Sequence, residues 1–210
     1  MNNQNTYHRQ TAQMIAFVAQ NFPDMSADVM QGWIENPRAL KRALMEALCP
    51  PGVFPVWRTI KLGVSPKNSD EARKALRDKE CFIGDCADDI LNKVVFTTSA
   101  VEKEIDLVNV SVGELGFTGN GATSKDIYNR AFEFGLELCP AEVGPQLRLQ
   151  YHEQTNHEWF RIAMEPIDDS RGDPSVFIVE NSEGLYLHGG RGHPKDVWPC
   201  VYRWLFVRRR

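Results

Sequence analysis

Apolar residues recur along this chain with two different periods, and the change from one to the other divides it. Between Thr11 and Gln20, Met14, Ile15, Phe17 and Val18 are spaced as one face of a helix. Ser26 predicts the cap of a second helix that runs through Trp33 and Ile34. Asn36-Pro37 opens a third, with Asn36 as cap and Pro37 at the first helical position, where a missing N–H is harmless. Leu40, Ala43, Leu44, Ala47 and Leu48 make the stripe of that helix, and Cys49-Pro50-Pro51-Gly52 ends it. Three short helices bury little on their own, so this unit is expected to pack on the rest of the chain or on a partner.

Beyond it the period shortens. VFPVWRTIKL (53–62) predicts a strand near Val56–Leu62, Ser69-Asp70 caps a helix to about Asp78, and a short helix follows over Asp85–Asn92. VVFTT (94–98) reads as a short strand or an extended segment and DLVNVSV (106–112) as a strand. SKDIYNRAFEF (124–134) is helical, with Ile127, Ala131 and Phe134 on one face and Gly135 as its C-terminal cap. Candidate strands then come at Gln146–Tyr151, Glu158–Met164, Val176–Glu180, Leu185–His188 and Tyr202–Arg208. Leu147, Leu149 and Tyr151 alternate, as do Phe160, Ile162 and Met164. The connectors DDSRGDP and NSEG carry turn residues, and short links between period-2 strands argue for antiparallel pairing. The pattern predicts an α+β protein with helices packed on a mostly antiparallel sheet. Its parts are a helical unit over 1–52, a strand with two short helices over 53–104, and a sheet-bearing region over 105–210. The last two are either separate or one domain over 53–210.

Composition narrows the class. A chain of 210 residues with 42% hydrophobic and 25% charged residues is an ordinary globular protein. At that length it buries roughly 70% of its unfolded surface and needs no staples. The net charge is −4, and no region is strongly basic: residues 1–60 hold 5 basic and 4 acidic groups, 61–106 hold 8 and 10, and 107–210 hold 11 and 14. That balance weakens non-specific nucleic-acid binding. Cys49, Cys81, Cys86, Cys139 and Cys200 are odd in number and widely spaced, which predicts free thiols in a reducing compartment. MNNQNTYHRQ has no export pattern and no apolar run approaches ~18 residues, so a cytoplasmic protein without membrane contact is expected.

Several stretches hold the residue types of a site. Gly116-Phe-Thr-Gly-Asn-Gly121-Ala122-Thr123 has the spacing of a phosphate-binding loop, but Ala122 stands where the lysine belongs. The plainer reading is a glycine-rich turn with Thr123 capping the next helix and Asp126 closing a capping box. His152 and His157 are one residue too far apart for paired metal ligation on a helix and flank a turn instead. Cys81 and Cys86 have zinc-ligand chemistry without a second pair. No metal and no cofactor are expected. A helix-turn-helix over 125–149 would have its reading helix cut short at Gly144-Pro145. The terminal Arg208-Arg209-Arg210 is either a contact for phosphate or an acidic partner, or simply solvated.

One cluster depends on strand geometry. If Leu147, Leu149, Phe160, Ile162 and Met164 face the core, then Arg148, Gln150, Arg161 and Glu165 face away, with His152, His188 and His193 near the strand ends. Arg148, Arg161, Glu165, His152 and His188 are thus the candidate catalytic set. A histidine or glutamate would move the proton of a 2′-hydroxyl and arginine would hold the phosphate, which is metal-independent cleavage or transfer on RNA or a nucleotide. The plainer reading is a solvated polar face.

WRTIKLG (57–63), KDIYNRAFEFGLELCPAEVGPQLRLQY (125–151) and the terminal LFVRRR resemble a family of uncharacterised bacterial proteins, over roughly residues 55–210. The resemblance implies a bacterial, phage-related or mobile-element source and carries no reaction and no residue role with it. The expectation that follows is an accessory or regulatory protein without enzymatic activity, acting through a protein partner and forming at most a small oligomer. The alternatives are the RNA or nucleotide enzyme and a DNA-binding regulator.

Overall fold

The computed structural model describes residues 12–13, 15–20, 23–37, 39–40, 43 and 54–208. The chain divides into two units, Met1–Pro50 and Pro51–Arg210. In the first, residues 15–20 are helical and α1 spans Ala27–Glu35. Ser26 caps α1 by accepting from the Val29 backbone N–H at 3.4 Å, and Asn36 accepts from Ala39 N–H at 3.1 Å, as expected of both caps. No residue of α1 is buried, so Val29, Met30 and Ile34 stand exposed on one side of it. Leu44, Ala47, Leu48 and the proposed stop at 49–52 lie outside the described residues.

The second unit is α+β. In chain order its elements are β1 (Arg58–Leu62), α2 (Ser69–Asp78), β2 (Phe82–Ile83), α3 (Asp85–Asn92), β3 (Lys103–Ser111), β4 (Ala122–Thr123), α4 (Ser124–Glu133) and β5 (Leu136–Glu137). They continue with α5 (Val143–Gln150), β6 (Trp159–Ile162), β7 (Ile167–Asp168), β8 (Pro174–Asn181), β9 (Leu185–Arg191), β10 (Val197–Trp198) and β11 (Arg203–Arg208). The main sheet runs β1-β3-β11-β6-β8-β9-β2, with β5 added to β11 and β7 to β8. Pairing is antiparallel except for β11 with β6 and β2 with β9. Residues 53–104 and 105–210, expected either as separate regions or as one domain, share this sheet: β1 pairs with β3 and β2 with β9. β4 and β10 form a separate two-stranded ladder.

The sheet carries a core on each face. Leu107, Phe160, Ile162, Leu187 and Leu205 join one, together with Leu76, Ile90, Val143 and Leu147 from α2, α3 and α5. Val108, Val110, Trp204 and Phe206 join the other, under Ile127 and Ala131 of α4. Central strands therefore alternate between two apolar environments rather than between oil and water. Each fully buried Leu or Phe contributes about 1.5–3 kcal/mol.

Residues 94–98, expected as a short strand or an extended segment, form no strand: 94–95 are a turn and 96–99 carry no regular structure. Residues 146–151 are not a strand either, because α5 occupies Val143–Gln150. Val143, Leu147 and Tyr151, spaced by four, all enter the core. Pro145 sits in the first turn, where its missing N–H breaks no helical bond. Gly144 lets the helix approach β8 closely, since a Cβ there would stand 2.6 Å from the Phe177 ring. A helical stripe buried at that distance outweighs the period-2 pattern of Leu147, Leu149 and Tyr151.

Candidate functional site

The face of the sheet opposite α2, α3 and α5 is covered by α4 only over part of its width. Strand alternation decides what the remainder presents. Leu185 and Leu187 of β9 pack on the first core, so Tyr186 and His188 point the other way. Register carries the same face across the sheet: Phe82 lies opposite Tyr186, Tyr186 opposite Glu180, and Glu180 opposite Trp159. One step along, His188 lies opposite Ile178 and Ile178 opposite Arg161.

Rings cluster on this strip. Phe82 stacks on Tyr186 with centroids 4.9 Å apart, and Tyr186 stacks on His188 at 4.9 Å with planes 7° apart. His188 Nε2 stands 3.8 Å from a Glu180 carboxylate oxygen. Phe82, on the edge strand β2, is 57% exposed, whereas Tyr186, His188, Glu180 and Trp159 are half-buried. Trp159 meets Tyr202 edge-on at 4.8 Å.

Arg161 lies at the boundary of the strip and is buried. Its guanidinium sits over Trp198, 3.7 Å from the ring centroid, and its Nη1 donates to the Arg191 carbonyl at 3.0 Å. Burial pushes its pKa down to about 10. Trp198 is held in place by its own indole N–H, which donates to Ser124 Oγ at 2.7 Å.

Of the five candidate catalytic residues, Arg161 and His188 share one face of the sheet, two strands apart with Ile178 between them. Arg148 is on α5, behind the sheet on the opposite face, and is fully buried. It donates to the Gln154 side chain at 2.5 Å and to the Glu180 carbonyl at 3.1 Å, and it also bonds the Tyr151 carbonyl. Gln150, expected to share the polar face, likewise lies on α5 and bonds the backbone of Lys61. His152 is exposed in the loop after α5, and Glu165 is exposed beyond the end of β6. The polar face expected at β6 is thus a buried one, because Trp198 and Trp204 pack where water was expected. Tyr186, Glu180, Phe82 and Trp159 were missed. The Leu185–Leu187 alternation points to Tyr186 and His188, but the parallel pairing of Phe82 with Tyr186 has no local signal.

The other motifs resolve into structure. Thr123 caps α4 by accepting from Asp126 N–H at 3.1 Å, and Gly121 (φ +88°) presses so closely on the Trp198 carbonyl that no side chain fits. The glycine-rich segment is a turn that docks β4 on β10. The first six residues of α5 are buried, so this helix has no free face to read DNA. Cys139 is fully buried, its thiol donating to the Leu205 carbonyl at 3.3 Å, and burial raises its pKa. Burial also raises the pKa of Cys81 and Cys86. Among the described residues, no three His, Cys, Asp or Glu side chains gather as metal ligands, and no helix is long and apolar enough to cross a membrane. Arg209 and Arg210 lie outside the described residues. No protein-family model, no curated protein and no solved structure matches the chain.

Proposed function

We propose that this chain is an accessory or regulatory protein that acts without catalysis, by binding a protein partner through the strip formed by Phe82, Tyr186, His188, Glu180 and Trp159. The observation that carries the reading is the ring stack centred on Tyr186, which ends in a largely exposed Phe82 on an edge strand. Tyrosine, tryptophan and phenylalanine supply most anchor contacts at protein interfaces, since they bury large area at low entropy cost. A ring stacked on two neighbours has little open face left for a nucleobase and offers its edge, which suits side-chain packing better than base stacking. Exposed Val29, Met30 and Ile34 on α1 add a second apolar surface in the N-terminal unit. A cytoplasmic setting in a bacterial or phage-related source belongs to the same proposal, supported by the free thiols of Cys81, Cys86, Cys139 and Cys200.

The alternative, an enzyme acting on RNA or a nucleotide, draws on the His188–Glu180 pair beside Arg161. Capture experiments separate the two. Tagged wild type and a Phe82→Ala/Tyr186→Ala variant are used as bait, and the eluates are read by mass spectrometry and RNA sequencing. The partner reading expects one protein enriched by wild type, lost with the variant, and cross-linked next to β2 or β9. Retention of that protein by the variant, or enrichment of RNA alone, overturns it.

A further inference from the structure

The aromatic strip has an acidic centre. Across four strands its row reads Trp159, Glu180, Tyr186 and Phe82, so Glu180 stands on β8 between an indole and a ring stack. The Glu180 side chain is 30% exposed, and its one ion-pair neighbour is His188 Nε2 at 3.8 Å, beyond hydrogen-bond reach and charged only when protonated. Among the described residues the Glu180 carboxylate accepts no hydrogen bond. Neither nearby arginine pairs with it. Arg148 donates to the Glu180 backbone carbonyl at 3.1 Å, and Arg161 is turned onto the Trp198 ring and the Arg191 carbonyl. A carboxylate held mostly out of water without a donor is costly, and a cation brought to it offsets that cost.

The surroundings keep the same sign. The hairpin from Glu180 to Gly190 holds Glu180 and Glu183 and neither lysine nor arginine. The segment from Glu80 to Asp85, which contains Phe82, holds two carboxylates and no lysine or arginine, with Lys79 just before it. Glu80, Asp85 and Glu183 are exposed and belong to no ion pair among the described residues. Two glycines hold these carboxylates near the rings. A Cβ on Gly184, next to Glu183, would stand 3.2 Å from the Phe82 ring and 3.3 Å from the Tyr186 ring, and one on Gly84, next to Asp85, would stand 2.6 Å from His188 Nδ1. A second copy of the same strip would bring like charges together, so self-association does not suit it.

Resting on the partner reading above, we propose that the partner presents an arginine to this strip, its guanidinium paired with Glu180 and flanked by Trp159. A guanidinium is flat, weakly hydrated, matched to a carboxylate by two parallel N–H groups and able to stack on an indole. Tyr186 has its faces taken by Phe82 and His188, which leaves Trp159 as the ring to meet it. The test titrates the full chain, isotope-labelled, with capped heptapeptides of glycine and serine around one central residue, either arginine or its uncharged isostere citrulline. Backbone and indole NMR signals are the readout. The arginine peptide is expected to shift the signals of Trp159, Glu180 and Tyr186 saturably and to bind about tenfold tighter than the citrulline peptide. Glu180→Gln keeps the side-chain size and the backbone carbonyl that Arg148 holds, and is expected to abolish that preference with Tm near that of wild type. Equal binding of the two peptides, shifts confined to another surface, or an arginine preference kept by Glu180→Gln overturns the proposal. Protein capture that depends on Phe82 and Tyr186, found together with no arginine preference, overturns this proposal alone. Failure to capture any protein overturns the partner reading and this proposal with it.

Discussion

Arg148 donates to the side-chain carbonyl of Gln154 at 2.5 Å, and this contact ties α5 to the loop that follows it. The same guanidinium bonds the carbonyls of Tyr151 and Glu180, so every acceptor it has is neutral. Burial lowers its pKa, yet an arginine remains charged, and three buried acceptors depend on it. Arg148→Met fills similar space and leaves those acceptors unpaired. It is expected to cost about 3 kcal/mol or more in urea unfolding. A loss under about 1 kcal/mol would mean that water replaces the guanidinium.

Gly144 decides how closely α5 packs. On helix propensity alone, Gly144→Ala gains about 1 kcal/mol. The new Cβ would meet the Phe177 ring at 2.6 Å and its Cβ at 2.8 Å, and Phe177 is fully buried with nowhere to go. Overpacking of this kind costs about 1–3 kcal/mol, so a net loss of stability is expected. The urea midpoint should fall, and a rise would show that the helix shifts at little cost.

Asp169 gives the fold an acid-sensitive turn. Its side chain is buried, accepting from the Arg171 and Asp173 backbone N–H groups at 2.8 and 3.0 Å and from the Arg171 guanidinium at 2.7 Å. The Arg171 hydrogen bond, then the Asp173 backbone, hold its pKa below the ordinary 3.8. A depressed carboxylate contributes stability that is present above its unfolded pKa and lost as pH falls through its folded one. Wild type should therefore lose stability below about pH 4, and Asp169→Asn should be weaker near neutrality with a flatter acid limb. Melts from pH 7 down to about pH 2 check this, and parallel wild-type and variant curves would contradict it.

Gly121 is expected to tolerate no side chain. With φ at +88° and the Trp198 carbonyl 1.8 Å from any Cβ, Gly121→Ala must separate β4 from β10. Destabilisation of more than about 1 kcal/mol is expected, with a change in the near-ultraviolet dichroism of Trp198. Gly119, also at positive φ but with nothing within 4 Å, should lose less on the same substitution.

Helices were legible in the sequence from local signals. Asp85–Asn92 matches α3 residue for residue although Gly84 gives it no side-chain cap, and 124–134 matches α4 within one residue, with Thr123 and Gly135 at its ends. The α4 cap is local: the Thr123 side chain accepts from a backbone N–H three residues away. The strands Glu158–Met164, Val176–Glu180, Leu185–His188 and Tyr202–Arg208 were legible as well, because alternation is a local property. Gln146–Tyr151 was misread, since six residues with apolar side chains at every second place also hold two at a spacing of four. The choice fell to Phe177 and the groove that Gly144 fits.

By itself, then, the sequence determined that helices and antiparallel strands follow one another in this order, and which strand residues share a side. Tertiary structure alone decided which side is wet. Arg161 was placed correctly opposite Phe160 and Ile162, but whether that face met water depended on Trp198 and Trp204, about 40 residues further along the chain. Local pattern records the alternation of a strand. What covers each face is set by contacts between distant segments, and those brought Phe82 beside Tyr186 and Arg161 beneath Gly190.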